Sequence, residues 1–234
     1  MERIIGDCVL KIANDLHNPP KHLYCDRRVT LLGASFLNTH IIAIVGGSGS
    51  GKTTVAQALL DECKAQGYSA TLISQDNFYN PVGHPLSNYD QPQALELDLL
   101  HNKLVELKSG QTVEIPTYDF VTHRRLNTTI SIKPTEGVIV EGLFLLSDPK
   151  LTTVFDTSIY LEVDPAECFK RRLLRDQVER GREPKDIERQ YLSQVKPGFD
   201  KYIHPFADQA THTIEQLPDN LPAFLKNILS STTN

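Results

Sequence analysis

The sequence predicts an α/β protein, with a doubly wound, mainly parallel sheet, helices on both faces, a β-hairpin and a helical lid. Three observations predict it. Apolar, largely β-branched runs at 41–45, 70–74, 138–140 and 155–163 read as buried strands. Stretches with apolar residues at helical spacing lie between them. The first strand also breaks into a glycine-rich turn that leads directly into a helix.

That turn is Gly46-Gly47-Ser48-Gly49-Ser50-Gly51-Lys52-Thr53-Thr54. Its pattern, Gly, four residues, then Gly-Lys-Thr, lets successive backbone N–H groups converge on an anion at a helix N-terminus. Lys52 supplies a mobile charge for β- and γ-phosphates, and the Thr53 hydroxyl suits the accompanying Mg²⁺. A glycine-rich connection could match by chance, but here the strand precedes and the helix follows, as the mechanism requires. The loop therefore predicts nucleotide binding without saying whether the phosphate is hydrolysed, transferred or held.

The chain has 234 residues, with 24 Lys and Arg against 29 Asp and Glu, a net charge of −5. That balance argues against a general binder of nucleic acid or anionic membrane. Cys8, Cys25, Cys63 and Cys168 are scattered without metal-ligand spacing, as expected of reduced thiols in a cytoplasmic protein. No apolar run approaches membrane-spanning length, and Glu2, Asp7 and Asp15 interrupt any signal-peptide core. No Gly-, Ser- or Pro-rich linker divides the chain. The organisation expected is a helical extension over 1–40 and one nucleotide-binding domain over 41–234.

Residues 1–16 show one apolar helical face, suited to packing on the domain or, as a minority reading, to self-association, and Pro19-Pro20 ends that helix. Residues 55–66 continue the helix after the glycine-rich turn until Gly67. Asp76 closes the second strand. Such an aspartate is commonly a cap, but ligands of open α/β sheets gather at the carboxyl ends of strands, which favours function. A loop over 80–92 precedes a helix over 94–107, and alternating strands at 112–116 and 128–133 frame a hairpin with a polar, aromatic tip. The tip is either an exposed turn or a surface that stacks on a planar base. Glu141 ends the third apolar strand, where a carboxylate typically holds Mg²⁺ or its water.

Asp164-Pro165 begins a helix that Gly181 ends. Arg171, Arg172, Arg175, Arg180 and Arg182 fall within or just after it, either as a solvated face or as a phosphate-binding lid. A further helix over 187–195 is expected to end near Pro197-Gly198, with a late strand over 211–215 and a terminal helix over 221–229.

Read together, GGSGSGKTT, SQDNFY, YDQPQA, PTYDFVTHRR, VIVEG and RRLLRDQVERGR, with the following QY and VKPGFDKYIHP, resemble the uridine kinase (uridine-cytidine kinase) family of the phosphoribulokinase/uridine kinase group of P-loop kinases. The resemblance runs from about 41 to 205. It implies phosphorylation of the 5′-hydroxyl of uridine and cytidine by ATP, or by GTP as an alternative donor, with Mg²⁺, and a homo-oligomer, by resemblance a tetramer. It also implies roles. Asp76 would be the general base, with Tyr79 beside it. Asp90, Arg172 and Gln190 would hold the ribose hydroxyls, while Tyr118, Phe120, His123 and Arg182 would surround the pyrimidine. Thr53, Asp76 and Glu141 would form the Mg²⁺ environment, and Lys52, Arg175 and Arg180 would neutralise the phosphates. The lid would span about 165–190 and the base-binding hairpin about 112–133. Where the family has Pro-Thr-Lys and then Ala-Asp, this chain has Pro205-Phe206-Ala207 and Ala210-Thr211. Rival readings are a related kinase acting on phosphoribulose or pantothenate, and a nucleotide-controlled switch. Against the switch, Asn102-Lys103-Leu104-Val105 lacks the aspartate of a guanine signature.

Overall fold

The computed structural model describes residues 28–31, 34–37, 39–81, 88–119, 122 and 124–230. The helix expected over 1–16 lies outside them, as do Phe120 and His123. The chain divides into two compact units, Met1–Ser35 and Phe36–Asn234. Short strands β1 (Arg28–Leu31) and β2 (Ala34–Leu37) pair with each other.

The larger unit is built on a five-stranded sheet made of β3 (His40–Gly46), β4 (Ala70–Ser74), β7 (Gly137–Gly142), β8 (Thr157–Leu161) and β9 (His212–Ile214). Its spatial order is β4-β7-β3-β8-β9, and all four pairings are parallel. A parallel sheet must be covered on both faces, which explains why β3, β7 and β8 are buried at nearly every position. Ile42, Ile44, Ile139 and Ile159 face helix α1 (Lys52–Ala65) and the terminal helix α7 (Leu221–Ser230). Ile41, Ala43, Val45, Val138 and Val140 face the other way, into a core shared with α2 (Leu97–Lys108) and the hairpin β5 (Val113–Asp119) and β6 (Arg124–Ile132).

The hairpin strands reach further than the alternation predicts, so Tyr118 sits in β5, paired with Arg125, rather than in a loop. A register shift between Pro116 and Tyr118 lets the strand run on past the proline. Helix α2 starts at Leu97 rather than 94, because Pro92–Ala94 forms a separate 3₁₀ turn. A one-turn helix α3 (Pro149–Thr152), capped by the Asp148 side chain, was not expected.

Lid helix α4 (Pro165–Arg180) begins and ends as predicted, with Asp164 accepting from the N–H groups of Ala166 and Glu167, and Gly181 in the left-handed region at φ 60°. The stop expected at Pro197-Gly198 is not there. Helix α5 (Pro184–Gln190) passes through a π turn (Tyr191–Val195) into α6 (Lys196–Tyr202). Pro197 falls in the first turn of α6, where the π turn has already changed the hydrogen-bond spacing and its missing N–H is tolerated.

Leu225 is fully buried in the core beside α1, so the terminal helix is part of that core. Leu225→Ala is expected to lower the unfolding free energy by about 2–4 kcal/mol in urea titration. A change below about 0.5 kcal/mol would detach α7 from the cooperative unit.

Candidate active site

Three neighbouring strands deliver the site. Strand β7 lies between β3 and β4, with Ile44, Glu141 and Ser74 in one register, so the carboxyl ends of all three open on one edge of the sheet. Beyond β3 the glycine-rich turn runs into α1; beyond β4 the chain enters a 3₁₀ turn, Gln75–Phe78.

The turn is held in shape by close packing. Gly49 has φ 87°, and a Cβ there would lie 2.2 Å from the Cys168 carbonyl oxygen of α4. Only glycine fits between the turn and the lid helix. Lys52 curls back, donating from Nζ to the Gly47 carbonyl at 3.0 Å, and burial lowers its pKa against the opposing pull of Glu141 and Asp76. The Ser50 hydroxyl is buried without a hydrogen-bond partner. An ammonium group and an orphaned hydroxyl at a helix N-terminus fit a bound phosphate chain.

Glu141 accepts from Ser74 Oγ at 2.6 Å and from Thr53 Oγ1 at 3.5 Å. The Ser74 hydroxyl in turn accepts the backbone N–H of Asp76 at 3.3 Å, which fixes where that carboxylate starts. Thr53, Glu141 and Asp76 line one cleft of about 170 Å³ with Lys52. Among the described residues no three His, Cys, Asp or Glu side chains form a metal cage by themselves. A hydroxyl and two carboxylates beside a phosphate cradle nevertheless suit Mg²⁺, which keeps waters and shares its shell with substrate phosphates.

Asp76 is half-buried at the floor of the cleft. Desolvation, reinforced by the Glu141 charge, raises its pKa to about 6 even though Lys52, Arg180 and Arg175 oppose the shift.

The far end of the cleft holds the other predicted residues. Arg172 is buried, donates to Ser48 Oγ at 2.8 Å and to Gln190 Oε1 at 3.3 Å, and leaves its Nε without a hydrogen bond. Gln190 also accepts from Arg182 at 2.7 Å and donates to Asp90 Oδ2 at 3.3 Å. Burial raises the Asp90 pKa, with Arg172 pulling the other way. Gly198 lets α6 approach this loop, since a Cβ there would lie 2.4 Å from the Asp90 carbonyl oxygen. Tyr79 packs on Tyr118 at 5.1 Å and on Tyr89 at 5.9 Å between ring centroids, forming an aromatic wall.

Of the predicted set, Ser48, Gly49, Lys52, Thr53, Asp76, Tyr79, Asp90, Tyr118, Glu141, Arg172, Arg175, Arg180, Arg182 and Gln190 line this one cleft, whereas Gly46, Gly47, Ser50, Gly51 and Thr54 belong to the turn and helix start without lining it. Sequence reasoning passed over Asp176, which is fully buried among the arginines, and Ser74, which orients Glu141. It also passed over the ion pair of Arg125 with Glu96 that ties the hairpin to the start of α2. For Asp176 the signal was present, since an aspartate four residues after Arg172 and next to Arg175 shares their helix face.

A carboxyl that holds its proton more tightly folded than unfolded destabilises the fold when ionised. For Asp76 that cost appears as pH rises from about 4 through about 6. Asp76→Asn is therefore expected to raise the Tm of the ligand-free protein at pH 7.5 by roughly 2–4 °C for each kcal/mol relieved, and by less at pH 5. An equal effect at both pH values would place the Asp76 titration elsewhere.

Known proteins resemble this chain across most of its length. The family model described as "Phosphoribulokinase / Uridine kinase family" matches residues 41–223. A uridine kinase of Staphylococcus haemolyticus (strain JCSC1435) is 42% identical over 174 residues, covering 72% of this chain and 83% of that protein. Among solved structures, a D-glycerate 3-kinase of Cryptococcus neoformans superposes with TM-score 0.58 at 16% identity over 74% of this chain and 82% of that one. The phosphoribulokinase of Rhodobacter spheroides does so with TM-score 0.50 at 18% identity over 70% and 68%. The two structures share the fold, the relative shares the sequence across most of the larger unit, and the chain belongs to the phosphoribulokinase/uridine kinase family.

Proposed function

We propose that this protein is a uridine/cytidine kinase, transferring the γ-phosphoryl of ATP, or of GTP as an alternative donor, to the 5′-hydroxyl of uridine and cytidine to give UMP and CMP. One observation carries the reading: a half-buried carboxylate, Asp76, shares a cleft with Lys52 and the glycine-rich turn, while Asp90, Arg172 and Gln190 form a hydrogen-bonded cluster in the same cleft. Resemblance to a uridine kinase across 72% of the chain supports the choice of acceptor.

In this reading the turn amides, Lys52 and Ser50 hold the triphosphate, and Arg175 and Arg180 neutralise charge as the phosphoryl moves. Thr53, Glu141 and Asp76 would hold Mg²⁺. When bound, this ion would offset part of the phosphate charge that grows as the phosphoryl moves. Asp76 takes the proton of the 5′-hydroxyl as the phosphoryl is transferred. Asp90 and Gln190 anchor the ribose so that the hydroxyl is aligned with the phosphorus, which converts binding energy into orientation. Tyr79 and Tyr118 wall the nucleoside side. His123 and Phe120, which lie outside the described residues, complete the base pocket by resemblance. Residues 41–234 act as the kinase domain, with about 165–190 as its lid and about 112–133 as its base-binding hairpin.

Incubation with ATP, Mg²⁺ and a panel of nucleosides, sugars and pantothenate, read by mass spectrometry, is expected to yield UMP and CMP. A phosphorylated sugar or pantothenate, or no product at all, would overturn the assignment. Asp76→Asn is expected to lower turnover about 10²- to 10⁴-fold with ATP affinity nearly unchanged in calorimetric titration. Loss of less than about threefold would remove Asp76 as the base.

A histidine can exchange donor and acceptor roles, so it suits both the 4-oxo and 4-amino groups of pyrimidines. His123→Ala is expected to erode the preference for pyrimidine over purine nucleosides, measured as a ratio of kcat/KM values. An unchanged ratio would remove His123 from the pocket.

A further inference from the structure

Asp176 has no place in the reading above, yet it is the most enclosed charge in the molecule's described part. It lies on the last turns of α4 with no solvent-exposed surface. Four guanidinium groups surround it. Arg175 donates Nε and Nη2 to its Oδ1 at 3.0 and 2.8 Å, and Arg180 Nη1 stands 3.4 Å from the same oxygen. Arg182 Nη1 is 3.4 Å from Oδ2 and Arg172 Nε 3.6 Å. The Arg182 backbone N–H also donates to the Asp176 carbonyl at 3.1 Å, so the turn after Gly181 folds around this one residue.

Four like charges within reach of one point repel strongly in a partly dry cleft. A single carboxylate offsets part of that repulsion. Its two oxygens also fix geometry, because one takes Arg175 and Arg180 and the other takes Arg182 and Arg172. The second pair meets again at Gln190, which holds Asp90. A continuous polar chain therefore runs from the hydroxyl-binding end of the cleft, through Gln190 and Arg182, to the arginines at the phosphate end.

We propose that Asp176 is a positioning residue for phosphoryl transfer. It is the shared counter-ion that sets where Arg175 and Arg180 stand over the phosphates and, through Arg182 and Gln190, ties their placement to the acceptor end of the cleft. The proposal rests on the kinase reading. It differs from a purely structural role in what it predicts for binding, since removing the carboxylate leaves a more cationic cleft that holds ground-state phosphate at least as well while aligning the transition state poorly.

The test compares wild-type protein with Asp176→Asn, which keeps shape and removes charge, and Asp176→Glu, which keeps charge and displaces it. ATP affinity is measured by calorimetry and UMP formation by mass spectrometry. Asp176→Asn is expected to lose about 100-fold in kcat while its ATP dissociation constant stays equal or falls, and Asp176→Glu to lose about 10-fold with unchanged ATP affinity. Equal losses of affinity and turnover, or turnover within threefold of wild type, would overturn the proposal. If Asp176→Asn does not fold, Asp176→Glu decides by the same criteria. A wild-type protein that makes no UMP with ATP sinks the kinase reading instead. The placement of the arginines is then decided by ATP affinity alone, which must not weaken in Asp176→Asn or, if that variant is unfolded, in Asp176→Glu.

Discussion

The register of three strands, β4, β7 and β3, is the constraint on which the site depends. Parallel neighbours in register end at the same height, so the residues that follow them emerge side by side on one edge. Glu141 in the middle strand can then meet Ser74 on one side and Thr53 on the other. A slip of one residue in β7 would turn Glu141 to the opposite face and exchange the two cores that Ile139 and Val140 occupy. The apolar packing that fixes the register on both faces of the sheet therefore also fixes the chemistry.

Burial does the electrostatic work at this edge. The same withdrawal from water that lowers the Lys52 pKa raises those of Asp76 and Asp90. Each group is left short of solvation and ready for a ligand of the complementary kind. Lys52 and the arginines suit an anion, whereas Asp76 and Asp90 suit a proton donor such as a sugar hydroxyl. The cleft is preorganised because its own side chains, Ser74, Gln190 and Asp176, hold these charged groups in place.

Much of this was legible in the residues, and the exceptions are instructive. The strand, glycine turn and helix around 41–66 are a local pattern whose geometry follows from its own sequence, so reading and structure coincide there. The ends of α4 were equally readable, from Asp164 and Gly181. The hairpin was less so, because alternation marks strands but not how far they pair, and Tyr118 and Arg125 continue the ladder through residues that look like a tip. Pro197-Gly198 misled because a stop signal was read without the π turn that precedes it. Asp176 escaped because its spacing from Arg172 suits an exposed ion pair as well as a buried one, and only the fold shows that the surrounding arginines close over it.

The π turn at Tyr191–Val195 sits between two residues with fixed duties: Gln190, which touches Asp90 and two arginines, and Gly198, pressed against the Asp90 carbonyl. A helix advances by about 100° for every residue, so gaining or losing one amino acid between them would swing one of these two off its target. Spacing, more than side-chain identity, is what this stretch has to preserve. A family comparison restricted to matched letters would overlook it, whereas one that records insertions and deletions would see it at once.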